Sequence, residues 1–117
     1  MRILGLIFAG TSTQHRTEMT DFLRDTLALS PVRVEGVEAD LFKLPDGSTS
    51  AVASPGGMGD TPRSIGFLVD DLDDAAAQLG AAGVTLGQMS ENGHERYMHF
   101  RAPDDQLYEL VERKAAA

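Results

Sequence analysis

The sequence predicts an α+β fold made of two βαβββ modules, and three observations carry that prediction. One strand pattern, one helix pattern and three short strand patterns follow each other twice along the 117 residues. Between the two runs, "PGGMGDTP" at 55–62 places three Gly and two Pro in eight positions, which neither a strand nor a helix can continue. Both runs also end alike. Pro45-Asp46 stands six and five residues before Ala51, just as Pro103-Asp104 stands before Glu109. The chain therefore reads as a single domain over 1–117, with module one about 1–55, a linker at 56–62 and module two about 63–114.

In the first run, residues 2–9 are an apolar stretch read as a strand, "MRILGLIFAG" being too short and lacking an A-x-A-like cleavage site for a signal peptide. A helix is predicted at about 17–28, where Met19, Phe22, Leu23 and Leu27 share one face, and Pro31 lies just beyond it. "VRVEGV" and "EADLFKL" are β-like stretches flanking Gly36, and "PDG" at 45–47 turns the chain into "STSAVAS". The Gly-rich break at 55–62 lacks the Lys and the following helix that a phosphate-binding loop needs, so it reads as a linker.

In the second run, "SIGFLVD" is a strand, and 71–82 is a helix with Leu72, Ala75, Ala76 and Leu79 at i, i+3, i+4 and i+7. Gly83 suits its C-terminal cap. "VTLGQMS" and "ERYMHFR" are strand-like, "APDD" turns the chain, "QLYELVER" is the last strand, and "KAAA" is expected to fray. The acids of "DDLDD" at 70–74 lack the spacing and Gly of a calcium loop; at a helix start they serve as caps and favour the dipole.

Composition bounds function. Hydrophobic residues make up 42% and charged residues 24%, ordinary for a globular protein, and no apolar run approaches a membrane span of about 20 residues. Cysteine is absent, which excludes disulfides, thiolate catalysis and Cys-ligated zinc and points to a cytoplasmic home. A net charge of −8 disfavours nucleic acid, whose phosphates demand a basic surface; its simplest meaning is solubility.

With "SIGFLVDDLDDAAAQLGAAGV" opening the second half and "FRAPDDQLYELVE" closing it, the chain resembles the vicinal oxygen chelate superfamily, which includes glyoxalase I, bleomycin-resistance proteins, fosfomycin-resistance enzymes and extradiol dioxygenases. The resemblance spans nearly the whole chain, strong in the second half and weak in the first. It implies two βαβββ modules forming a curled mixed sheet, each half of a cup, usually in a homodimer. It also implies one divalent metal, held by His, Gln or Glu on the first and last strands of each module, to polarise two neighbouring substrate oxygens. Placing Phe8 on Phe67 puts the first-strand position at Gly5 or Leu6; the others are Ala51, Ser64 and Glu109. One carboxylate and a Ser do not make a usable site, so no metal and no cofactor is expected, and Glu109 is the residual ligand position.

Glu109 sits among Leu107, Tyr108, Leu110 and Val111, and a carboxylate in an apolar strand is costly to bury unless something pairs with it. In the superfamily's dioxygenases a catalytic Tyr lies ten residues before the last ligand; here that position is His99, with Tyr97 and Arg101 on the same strand face. Met98, Phe100, Tyr108 and Leu110 then face a helix. The expected ligand-binding cluster is Ser64, Tyr97, His99, Arg101 and Glu109. Within it, His99 and Glu109 are catalytic candidates as a metal-free acid–base pair, or a structural pair across the hairpin with Arg101 as the other partner. His94, in "SENGHER", reads as a solvated loop residue or a relocated metal ligand, and His15 as solvent-facing. The expectation is a metal-independent binder of a small, partly apolar or cationic molecule, similar to the bleomycin-resistance branch, although Phe 5, Tyr 2 and no Trp leave little to stack on flat rings. The alternatives are a divalent-metal lyase or dioxygenase using Glu109, His99 and His94, and a protein whose interface is its function.

Overall fold

The computed structural model describes residues 1–56 and 61–115. Residues 57–60 of the expected linker and 116–117 of the tail lie outside the described residues. The chain forms two compact units, Phe8–Ser64, and Met1–Ile7 with Ile65–Ala117. Strand β1 (Ile3–Ser12) therefore contributes its first half to one unit and its second half to the other.

In the unit of 8–64 the strand order is β2-β3-β4-β1. β1 runs parallel to β4 (Thr49–Ala53), with Phe8 opposite Thr49 and Gly10 opposite Ala51. β2 (Ser30–Val32) and β3 (Asp40–Lys43) complete it antiparallel. Helix α1 (Arg16–Asp21) packs on this sheet through Met19 and Leu23, which meet Phe42 and Val52. Arg16 Nε and the Thr20 hydroxyl both donate to the Asp40 carboxylate, at 3.0 and 2.8 Å, which ties α1 to β3.

Two expectations for this half are corrected. The helix predicted at 17–28 is α-helical only to Asp21 and continues as a π-helical turn, Phe22–Thr26, closed by Leu27 N–H on the Phe22 carbonyl. The wider turn seats both Leu23 and Leu29 against the core, with Leu29 N–H on the Leu23 carbonyl and Ala28 left-handed at φ 58°. Phe22 and Leu27 are consequently exposed, not on the buried face. Of "VRVEGV" only Val32 is strand. The chain leaves the sheet after it, with Val37 N–H bonding the Val34 carbonyl around Gly36 at φ 81°. Pro31 sits inside edge strand β2, where a missing N–H costs no ladder bond.

In the other unit β5 (Arg63–Val69), β8 (Leu107–Arg113), β7 (Glu95–Arg101) and β6 (Ser90–Glu91) follow in that spatial order. Helix α2 (Leu72–Ala81) starts as its sequence dictates: Asp71 caps it by accepting from Asp74 N–H, and Leu72 N–H donates to the Glu112 carboxylate at 2.9 Å. Its end is a Schellman motif, Val84 N–H on Leu79 and Gly83 N–H on Gly80, with Gly83 at φ 81° as predicted. Val69, Leu72, Ala75, Met98 and Leu110 form the core, and the ring of Tyr108 stacks on Phe67 and Phe100. The acids at 70–74 are engaged locally: Asp70 accepts from Arg2 N–H, Asp73 pairs with Arg96, and Asp74 holds Gln78.

Two further corrections fall here. "VTLGQMS" is mostly not strand: Leu86 bridges Phe100 alone, and only Ser90 and Glu91 pair again. Gly87 N–H donates to the His99 carbonyl at 2.7 Å, and a Cβ there would stand 3.1 Å from that oxygen, so a larger residue would push the two backbones apart. In the tail, Lys114 is held rather than frayed, by its N–H on His94 and its ammonium on Glu91.

The fold class read from the order of elements, α+β with two βαβββ modules and mixed strand pairing, is the one the structure has. Among the described residues no helix is long and apolar enough to cross a membrane.

Candidate functional site around Glu109

The β7–β8 hairpin sets His99 directly opposite Glu109. Leu110 and Met98 on either side are buried in the α2 core, so period-two alternation turns Glu109 and His99 to the opposite face. There His99 Nε2 stands 2.9 Å from Glu109 Oε2. The carboxylate is 14% exposed and the imidazole 36%. Tyr97, two residues along the same face, meets the His99 ring edge-on at 6.2 Å. This pairing leaves Glu109 Oε1 and His99 Nδ1 without a partner among the described residues. The neutral imidazole protonated at Nε2 presents Nδ1 as an acceptor; the imidazolium presents it as a donor.

Arg101 shares the strand face but not the cluster. Its Nη1 donates to the Asp105 carbonyl at 3.0 Å and its Nε stands 3.9 Å from the Asp105 carboxylate, so the hairpin turn holds it. Of the two structural pairings the sequence allowed for Glu109, the geometry makes the one with His99. His94 precedes β7, five residues from His99, a separation on the order of 15 Å along an extended strand. No metal can take both. His15 is exposed and pairs with Glu18 across one helical turn.

The first-strand positions Gly5 and Leu6 carry no donor side chain. Within the unit of 8–64, a Cβ on Gly10 would stand 3.0 Å from the Phe8 ring and 3.6 Å from the Ser64 Cβ. Ser64 Oγ is buried with no hydrogen-bond partner among the described residues.

A divalent metal of the kind the resemblance implies does not fit this donor set. The four positions hold Gly5 or Leu6, Ala51, Ser64 and Glu109, and Glu109 lies 2.9 Å from His99. Among the described residues no three His, Asp or Glu side chains converge as a metal site needs. A recess of about 660 Å³ lies within 8–64, between Arg16, Thr20 and Arg24 of the helical segment and residues 31–42.

No known family's sequence profile matches the chain, and no curated protein matches it. Solved structures do. Methylmalonyl-CoA epimerase from Mycobacterium tuberculosis is similar at 19% identity and a TM-score of 0.73, over 97% of this chain and 90% of that one. A glyoxalase/bleomycin resistance protein/dioxygenase superfamily member from Vibrio splendidus 12B01 is similar at 13% identity and a TM-score of 0.64, over 93% and 97%. BphC, a halotolerant catechol dioxygenase, is similar at 16% identity and a TM-score of 0.73; 98% of this chain spans 41% of that longer one. The resemblance carried by "SIGFLVDDLDD" and "DDQLYELVE" holds as a resemblance of fold, the one these glyoxalase, bleomycin-resistance and dioxygenase structures share.

Proposed function

We propose that the chain binds a small, partly apolar molecule without a metal ion, on the face of the β7–β8 hairpin that carries Tyr97, His99 and Glu109. One observation supports this above the rest. A mostly buried carboxylate is paired with an imidazole so that each keeps one hydrogen-bonding position unused. Such a pair, beside an aromatic edge, suits a ligand with one polar group and an apolar body: few convergent polar groups fix orientation, and apolar contact supplies affinity. A ligand hydroxyl or amine donates to Glu109 Oε1, and the imidazole Nδ1 accepts or donates according to its protonation. Both hydrogen bonds come from strands, which position groups more tightly than loops.

The test is amide chemical-shift mapping of isotope-labelled protein with a set of apolar fragments bearing a hydroxyl or amine, in the presence of a chelator. Saturable shifts centred on Tyr97, His99 and Glu109, lost in Glu109→Gln, are expected. Fragments that map elsewhere would refute the assignment. So would tight uptake of nickel, zinc, manganese or ferrous ion near one per chain that is abolished by Glu109→Ala. That result would favour the metal-dependent lyase or dioxygenase.

A further inference from the structure

The turn between β6 and β7, in "SENGHER" at 90–96, holds the chain's one asparagine, Asn92, and a glycine follows it. Asn92 Oδ1 accepts from two backbone N–H groups, that of His94 at 2.8 Å and that of Glu95 at 2.9 Å. Its own N–H donates to the Glu95 carbonyl at 2.9 Å and closes the turn. With its oxygen bonded two and three residues ahead, the side chain lies over the intervening Gly93 peptide. Neither the Gly93 N–H nor the Asn92 amide nitrogen has a hydrogen-bond partner among the described residues. Asn92, Gly93 and His94 are exposed, and nothing stands within 4 Å of the place where a Gly93 Cβ would be.

We infer that Asn92 and Gly93 form a self-modification site, at which Asn92 loses its amide through a cyclic imide and becomes isoaspartate or aspartate. The Gly93 nitrogen gives up its proton to solvent and bonds to Asn92 Cγ; the Cγ–Nδ2 bond breaks, and Nδ2 takes a proton and leaves as ammonia. Water then opens the imide at one of its two carbonyls, and no oxidant or reductant takes part. Two features of the turn favour the attack. The oxygen that turns negative as the Gly93 nitrogen adds to Cγ is Oδ1, which already sits on two backbone N–H donors at the separations that stabilise an oxyanion. Gly93 brings no Cβ to shield its nitrogen, and no acceptor among the described residues holds its N–H. The two products differ in effect. Aspartate keeps both acceptor bonds and the turn. Isoaspartate carries the main chain through the former side chain, which adds one methylene between Glu91 and Arg96, residues that face each other across β6 and β7. β6 has only Ser90 and Glu91 to hold its register, so it is expected to part from β7 as the chain ages.

Slow incubation of the whole chain at mildly alkaline pH tests this, read by isoelectric focusing and by peptide mapping with mass spectrometry. The folded wild type is expected to gain one negative charge beyond its −8 and to show isoaspartate together with aspartate at residue 92, every glutamine remaining intact. It is expected to react about tenfold faster than the same chain unfolded in guanidinium chloride, the worth of one hydrogen bond to a developing charge. Gly93→Ala is expected to react about tenfold more slowly than wild type, since a Cβ keeps the nitrogen from its attacking position. That variant folds like wild type, because Gly93 is not left-handed and the added Cβ meets open space. A wild type that stays unmodified overturns the inference, as does aspartate without isoaspartate, which marks direct hydrolysis with no imide. A folded chain that reacts no faster than the unfolded one overturns the part given to the two N–H donors. Gly93→Ala reacting as fast as wild type removes the Gly93 nitrogen from the step, and the inference falls with it.

Discussion

Replacing His99 with Phe tests what the buried carboxylate of Glu109 needs. Phe keeps the ring's volume but removes the ring nitrogen that stands 2.9 Å from Glu109 Oε2. Leaving a buried acceptor without its partner costs about 1–3 kcal/mol. The imidazole is 36% exposed, so water reaches part of the pair, and the lower end, about 1–2 kcal/mol, is expected. At roughly 2.1 cal/mol/K of unfolding entropy per residue, a chain of 117 residues has about 0.25 kcal/mol/K, so Tm falls by about 4–8 °C. Glu109→Gln, which keeps an acceptor, is expected to cost less, and His99→Phe combined with Glu109→Leu to return close to wild-type stability, because both polar partners leave together. Urea unfolding of His99→Phe, Glu109→Leu and the double closes a cycle with a coupling of about 1 kcal/mol. If His99→Phe leaves the urea midpoint unchanged, the carboxylate is satisfied by water and the pair is incidental. A double variant that is stable yet binds no fragment would show a pair held for binding at no gain in stability.

Two further outcomes follow from the unit of 8–64. Ala28→Gly is expected to raise stability by about 1 kcal/mol, because Ala28 is held at φ 58°, where a Cβ is penalised and Gly is not; a lower Tm in that variant contradicts the left-handed assignment. Asp40 has its carboxyl held below the usual carboxylate range by the Arg16 hydrogen bond, with burial opposing and the Thr20 hydroxyl assisting. A depressed folded pKa gives stability that is fully present above the unfolded value, near 3.8, and lost as pH falls through the folded one. The urea midpoints of wild type and Asp40→Asn should therefore differ at neutral pH and converge in strong acid; a constant gap would show that Asp40 acts without its charge.

Elements with strong local signals were legible in the sequence. α2 had four apolar residues at helical spacing, an Asp cap and a C-terminal Gly, and it runs one residue inside each predicted end. Met98 and Leu110 faced the helix because strand alternation allows nothing else once Glu109 faces away. The losses came where tertiary packing overrode the local pattern. The periodicity at 17–28 could not reveal that seating Leu23 and Leu29 together needs a π-helical turn. "VTLGQMS" carried a strand pattern, but its pairing with β7 is an isolated bridge at Leu86 and resumes only at Ser90.

The donor chemistry of the positions that the resemblance names sets how far the chain stands from a metal site. Gly5 or Leu6 and Ala51 offer no donor, and Ser64 offers one hydroxyl, so building a usable site takes several changes at once. Glu109 has a partner in this chain, His99, whose Nε2 stands 2.9 Å from its carboxylate. Leu6→His alone is accordingly expected to bind neither nickel nor zinc more tightly than wild type, by isothermal titration in chelator-stripped buffer. A clear gain in affinity from that one change would mean that a single added donor is enough, and the metal-free reading of Glu109 would fall with it.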